Sequence, residues 1–206
     1  MRLYFIRHGQ SVTNLTNTIT GQSDVALTEQ GRQDAVRAGE LLRGIAFDKV
    51  YASDLSRAID TCRLALPDTE FETTPLLREH SVGELAGKTH AECRALYGER
   101  FDRDHTALDF TSYGGEDPEM VRVRVRALLE MLEASPYERV ACFSHAGFIR
   151  TVLDVFANLN CREKTGPFAC DNGSVSVFEI RGKHRAIVAW NYKGKLPDAP
   201  AVFHEL

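Results

Sequence analysis

Arg7-His8-Gly9 stands where a short apolar run stops. Leu3 to Ile6 read as a buried strand, and Gly9 breaks it before a polar stretch. A strand that ends in Arg-His puts an imidazole and a guanidinium at the carboxyl edge of a sheet, where open α/β folds hold their ligands. Histidine is a usable nucleophile at neutral pH. Arginine suits phosphate oxygens taken two at a time. Together they point to phosphoryl transfer to histidine.

Three further places join this picture. In Tyr51-Ala-Ser-Asp-Leu-Ser-Arg57-Ala-Ile-Asp-Thr61 a strand ends and a helix starts. Arg57 falls in the first turn and projects toward the same edge, where a helix N-terminus itself favours anions. Leu76-Leu-Arg-Glu79-His80 places a carboxylate after an extended stretch. Cys142-Phe-Ser-His145-Ala-Gly147-Phe-Ile-Arg150 repeats the opening arrangement of apolar strand, histidine, small residue and helix. Both histidines therefore belong at one edge of one sheet.

The elements that must carry these residues alternate. Strands are expected at Arg2–Ile6, Lys49–Ala52, Phe71–Thr73, Arg139–Phe143, Ser174–Ile180 and Ala186–Asn191, the last two forming a hairpin around Arg181-Gly182-Lys183. Helices are expected at Thr28–Leu42 with Thr28 as N-cap, at Asp54–Leu66 ahead of Pro67, at Pro118–Ala134 and at Phe148–Asn158. In the third of these, Val121, Val125, Leu128, Leu129 and Leu132 share a stripe. This order predicts a single α/β domain over 1–206: a three-layer sandwich with a mostly parallel central sheet flanked by helices. Residues 80–116 break the alternation. They are polar and glycine-rich, carry at most one short helix near Thr89–Tyr97, and read as a lid-like insertion.

Composition bounds the function. The chain has 206 residues with 43% hydrophobic and 26% charged content, an ordinary globular balance. A net charge of −4 argues against a general nucleic-acid or membrane-surface binder. No signal peptide is visible, and no apolar run approaches the roughly 20 residues of a membrane span. The cysteines at 62, 93, 142, 161 and 170 are odd in number and lack a Cys-x-x-Cys pair. They read as reduced thiols of a cytoplasmic protein rather than as zinc ligands.

The Arg-His-Gly opening, the Ser-x-x-x-Arg element, the Glu79 segment and the Ser-His-Ala-Gly element occur in one order over nearly the whole chain. In this the sequence resembles the histidine phosphatase superfamily, also called the phosphoglycerate mutase-like family. The resemblance implies that His8 becomes phosphohistidine, while Arg7, Arg57 and His145 hold the phosphoryl oxygens. It implies Glu79 as the acid that protonates the leaving oxygen and then activates water. Asn14 is implied as a further phosphate contact, Gln22 after Gly21 as part of a loop lining the site, and Ala146 as a backbone N–H donor.

Electrostatics supports these roles. Arg7 and Arg57 near His8 lower its pKa and keep the attacking nitrogen unprotonated. Glu79 beside a phosphate is pushed toward the protonated acid. The second nitrogen of His8 needs a partner, expected to be a backbone carbonyl. Some alternatives stay open: Glu84 for Glu79, a turn or cap role for Asn14, and helix capping for Ser53. Asp24, Thr28 and Arg150 read as structural, and His80, His90, His105, His184 and His204 as solvated or structural.

There is no P-loop, no cysteine with an arginine six positions on, and no metal-binding His/Asp cluster, so no metal or other cofactor is expected. The favoured activity is hydrolysis of a small phosphate monoester, α-ribazole phosphatases and broad-specificity phosphatases being the relatives of this size. The alternative is a phosphoglycerate mutase or sugar bisphosphatase. The segment after Glu79 has Lys88, Arg94, Arg100 and Arg103, none adjacent, which suits one phosphate better than two. Gly83-Glu-Leu-Ala-Gly87 departs from the Gly-Glu-Trp-Glu-Gly common among phosphatase relatives, which leaves the substrate open. The sequence also leaves open a homo-oligomer and the order of the tail Pro197–Leu206.

Overall fold

The computed structural model describes residues 1–158, 168–194 and 196. Six strands form one sheet: β1 (Arg2–Arg7), β2 (Lys49–Ala52), β3 (Glu72–Thr73), β4 (Arg139–Ser144), β5 (Val175–Arg181) and β6 (His184–Tyr192). Their order across the sheet is β3-β2-β4-β1-β5-β6. The pairs β3/β2, β2/β4 and β4/β1 are parallel, and β5 runs antiparallel to both β1 and β6. The mostly parallel sheet expected from sequence is therefore present, with the closing hairpin turned back at one edge.

Among the described residues seven α-helices accompany it: α1 (Val12–Leu15), α2 (Glu29–Leu42), α3 (Ser56–Ala65), α4 (His90–Tyr97), α5 (Glu99–Ala107), α6 (Pro118–Glu133) and α7 (Ala146–Ala157). Alternation along β1 divides the core. Leu3 and Phe5 pack with Val121, Val125, Leu128 and Leu132 of α6 and with Phe148, Val152 and Phe156 of α7. Tyr4 and Ile6 pack on the other face with Ala38 and Leu42 of α2 and with Cys62 and Ala65 of α3. Burying both sheet faces is why these strands read as near-continuous apolar runs. Among the described residues no helix is long and apolar enough to cross a membrane. Cys62, Cys93, Cys142 and Cys170 are unpaired and buried, and burial pushes the Cys62 thiol up to about 12. Cys161, His204 and the tail 197–206 lie outside the described residues.

Residues 80–116 correct the expectation of at most one short helix. They hold α4, α5 and the 3₁₀ turns Gly83–Leu85 and Thr111–Tyr113. Gly98, at φ +59, ends one helix and opens the next. Helix α5 was hidden because it carries almost no apolar stripe: only Phe101 and Asp104 are buried on it. The Asp104 carboxylate accepts from the Tyr113 hydroxyl at 3.1 Å, which fastens the helix by a polar contact that periodicity does not register. The segment has its own small core of Val82, Leu85, Cys93, Phe101, Phe110 and Tyr113, joined by Ile19. It docks on the 18–20 strand-like stretch through Ile19 N–H to Lys88 O and Gly87 N–H to Ile19 O, each 2.8 Å.

Candidate active site

Strands β1, β2 and β4 end at the same edge, and each delivers one part of the site. Beyond β1 comes His8, only 5% exposed. Its Nδ1 lies 2.7 Å from the Gly9 carbonyl oxygen. A carbonyl only accepts, so Nδ1 carries the proton and Nε2 keeps its lone pair. The expected backbone partner is thus the next residue's own carbonyl. Burial, reinforced by Arg57 and Arg7, holds the His8 imidazolium well below 6.5.

His145 follows β4, fully buried, with its ring centroid 5.1 Å from that of His8. Arg57 Nε donates to His145 Nδ1 at 3.2 Å, which leaves the His145 proton on Nε2, 2.9 Å from Ser53 Oγ. Burial and then Arg57 keep this imidazole neutral as well. Ser53, for which helix capping stayed open, precedes the N-cap of α3, Leu55. Its hydroxyl meets His145 and also accepts from Leu55 N–H at 3.4 Å.

Arg57, in the first turn of α3, is 1% exposed. Its remaining donors reach Gly21 O at 2.9 Å and Ser23 O at 2.7 Å. Burial lowers its pKa to about 10. One turn on, Thr61 Oγ1 accepts from Gly9 N–H at 3.0 Å and donates to Arg57 O at 2.7 Å. One helix therefore sets both the arginine and the loop that bears His8. Gly21 is at φ +52, a conformation that favours glycine, and presents its carbonyl to Arg57.

Arg7 is half-buried, and Nη1 donates to Cys170 O at 2.5 Å. Its Nε is enclosed without a partner. Among the described residues neither Arg7 nor Arg57 forms an ion pair. Two guanidiniums held this far from water without a paired carboxylate make a site that favours an anion.

Glu79 lies beside the N-terminus of α7. Its carboxylate accepts from Gly147 N–H at 3.0 Å, Phe148 N–H at 3.1 Å and His80 N–H at 3.0 Å. Burial would raise its pKa, but His80, the backbone N–H groups and Arg57 together outweigh that and hold it below the ordinary carboxylate value. The protein alone thus prepares a carboxylate; the raised pKa expected from sequence is that of Glu79 beside a phosphate. The alternative, Glu84, is exposed on the 3₁₀ turn Gly83–Leu85 and does not share these contacts.

The other expected residues divide. Ala146 opens α7, so its N–H has no intrahelical acceptor and is unspent among the described residues, while the next two N–H groups serve Glu79. Asn14 is exposed. Its Oδ1 accepts from Ser11 N–H at 2.9 Å, so the cap role is realised. Gln22 is turned to the backbone, donating to Glu79 O at 3.0 Å, and thus props the acid's segment. Arg150 donates to Phe168 O at 2.9 Å, Asp24 accepts from Ser56 N–H at 2.8 Å, and Thr28 accepts from Gly31 N–H as the N-cap of α2, so each of these atoms is spent on backbone. His80 is buried, with Nε2 3.5 Å from Thr151 Oγ1.

Sequence reasoning missed Thr61, Asn172 and Arg124. Asn172 Nδ2 donates to His8 O at 3.0 Å and reaches Asn14 Oδ1 at 3.4 Å. Its place in an Asp-Asn-Gly turn signal ahead of β5 was the one hint available. Among the described residues no group of three or more His, Cys, Asp or Glu is placed to hold a metal ion.

The profile of the histidine phosphatase superfamily (branch 1) matches residues 3–193. A 2,3-bisphosphoglycerate-dependent phosphoglycerate mutase 2 of Gloeobacter violaceus is 38% identical over 160 residues, 73% of each chain. Among solved structures, the α-ribazole phosphatase of Shigella flexneri superposes with a TM-score of 0.86 at 25% identity, covering 97% of this chain and 100% of that one. A mycobacterial glucosyl-3-phosphoglycerate phosphatase in complex with VO3 gives a TM-score of 0.79 at 27% identity, covering 92% and 98%. With its profile match running through both histidine-bearing strand ends, the chain belongs to the histidine phosphatase superfamily.

Proposed function

We propose that this protein is a phosphatase that hydrolyses small phosphate monoesters without a metal, through a phosphohistidine on His8. One observation carries the reading: a buried histidine whose Nε2 is without a partner among the described residues lies beside His145, Arg57 and Arg7, and neither arginine has an ion pair among those residues. Phosphoryl transfer needs positioning and positive charge more than covalent help.

His8 Nε2 attacks phosphorus, the P–O bond to the leaving group breaks, and Glu79 gives its proton to the departing oxygen. Water then attacks the phosphohistidine, its proton goes to Glu79, and the P–N bond breaks to release phosphate. A phosphate dianion between Arg57 and Glu79 offsets the arginine's pull and adds like charge, which raises the carboxylate toward the acid the first step requires. His145 and Ser53 supply phosphate contacts by exchanging their mutual hydrogen bond for the anion. Arg7, Arg57, Ala146 N–H and Asn14 supply the rest.

The reading as phosphatase rather than mutase draws on the 80–116 segment. Arg94 pairs with Asp102 at 2.8 Å, Arg100 and Arg103 with Asp104 at 3.5 and 3.1 Å, and Lys88 with the Glu84 carbonyl. These cations are engaged within the segment, not presented to a second phosphoryl group. The kinship to a phosphoglycerate mutase keeps that activity as the second reading. The four unpaired buried thiols support a cytoplasmic setting.

The test is phosphate release in EDTA from p-nitrophenyl phosphate, 3-phosphoglycerate, α-ribazole phosphate and sugar phosphates, with His8→Ala as control. Release by the parent and not by the variant is expected. A rate that collapses in EDTA and returns with magnesium overturns the metal-free scheme. Interconversion of 2- and 3-phosphoglycerate outpacing phosphate release, after priming with the bisphosphate, replaces phosphatase by mutase.

A further inference from the structure

Arg124, in the second turn of α6, was given no role by the sequence, yet its guanidinium is spent on the segment that carries Glu79. Nη1 donates to Leu76 O at 3.1 Å and to Arg78 O at 2.9 Å, and Nη2 donates to Glu79 O at 3.2 Å. With Gln22 Nε2 at 3.0 Å, two donors converge on the Glu79 carbonyl and fill its lone pairs. The same guanidinium lies 5.5 Å from the centre of the Phe148 ring, the residue whose N–H holds one Glu79 carboxylate oxygen.

Glu116 completes the clamp. Its carboxylate accepts from Arg124 Nε and Nη2, both at 2.9 Å, a forked pair only 17% and 18% exposed. It also accepts from Ser81 N–H at 2.7 Å, while Glu116 N–H donates to Ser81 O at 2.8 Å. The two ends of the 80–116 segment are thus tied to each other and, through Arg124, to the backbone of Glu79.

We propose that Arg124 is a positioning residue for proton transfer by Glu79, and that Glu116 couples this positioning to the base of the 80–116 segment. The proposal rests on the reading of Glu79 as the acid. Proton-transfer geometry is sensitive to displacements of an ångström or less. Loss of Arg124 takes the donor from the Leu76 and Arg78 carbonyls and leaves the Glu79 carbonyl with Gln22 alone, so the segment relaxes and the carboxylate moves with it.

The experiment compares two substrates on Glu79→Gln, Arg124→Gln and Glu116→Gln. An alkyl phosphate needs its leaving oxygen protonated, whereas p-nitrophenyl phosphate leaves without that help. Glu79→Gln is expected to lose about 10²-fold or more in kcat/KM, which reports the steps through leaving-group release and not the shared hydrolysis of phosphohistidine, on the alkyl ester and far less on the aryl ester. Arg124→Gln is expected to show the same split at about tenfold, and Glu116→Gln a smaller one of the same sign. Equal losses on both esters in Arg124→Gln, while Glu79→Gln stays selective, overturn the proposal. Equal losses in Glu79→Gln overturn the assignment of the acid, and the proposal with it. Aryl activity reports folding. Should Arg124→Gln lack it, Glu116→Gln decides by the presence or absence of the split.

Discussion

Gly31→Ala is a substitution on a helix, far in sequence from every residue that does chemistry, and it should cripple the enzyme. Gly31 lies in the first turn of α2, against the loop that follows His8. A Cβ on Gly31 would stand 2.0 Å from Gln10 O and 2.9 Å from Gln10 C and N. The contact is mutual, because a Cβ on Gly9 would stand 2.0 Å from Gly31 O. The clash is with backbone, and Gln10 O is already held by Thr28 N–H at 2.9 Å, so no side chain can rotate away. Relief needs a shift of about 1 Å in the loop that holds the Gly9 carbonyl against His8 Nδ1, and misplacement on that scale costs about 10²-fold in rate. Helix propensity alone argues the opposite for stability, since alanine in place of glycine gains about 1 kcal/mol. Overpacking at about 1–3 kcal/mol outweighs it. At about 2–4 °C per kcal/mol for a chain of this size, the variant should melt lower by a few degrees. Calorimetry and p-nitrophenyl phosphate turnover on the purified variant give both numbers. A Tm equal to or above the parent's, with kcat within twofold, would refute the reasoning.

Three other outcomes are expected. His8 should stay unprotonated in the free enzyme at pH 6.5, because burial, Arg57 and Arg7 all disfavour the imidazolium; a histidine NMR resonance lost in His8→Ala and titrating at or above 6.5 would contradict this. Arg57→Lys keeps the charge but not the donors to His145, Gly21 and Ser23, so kcat/KM should fall by about 10²-fold or more, as for other preorganised donors; a loss under fivefold sinks that role. Asp154 is pushed up to about 6, by burial above all, with Oδ1 unpartnered and Arg122 at 3.8 Å. A folded pKa raised above the unfolded one gives stability that is lost as pH rises through about 6. Asp154→Asn should therefore raise Tm at pH 8, gain less at pH 5, and gain nothing only below the unfolded carboxyl pKa of about 4, as scanning fluorimetry down to that pH will show.

What the sequence revealed and what it hid follow from physics. Helix α6 was legible because an apolar stripe must face the core. Strand β2 was legible because both of its faces are covered. Helix α5 was hidden because Asp104 and Tyr113 hold it by a polar contact. Helix α7 begins at Ala146, two residues before the expected Phe148, because Glu79 caps it from a distant loop. Arg7, His8 and His145 lie at strand ends, which alternation locates, and Arg57 lies in the first turn of the helix that follows β2. Thr61, Asn172 and Arg124 act by hydrogen bonds across 52, 164 and up to 48 residues of sequence, and no local pattern marks such contacts. Gln22 was legible in place but not in orientation, since its amide serves the Glu79 backbone.

The most direct test of the central claim is a rapid-quench experiment on p-nitrophenyl phosphate turnover, with the quenched protein digested under alkaline conditions and sequenced by mass spectrometry. The account predicts an acid-labile, base-stable phosphoryl group on His8, formed within one turnover and absent in His8→Ala. Steady hydrolysis with no phosphoryl group on His8, or with one on another residue, would contradict it.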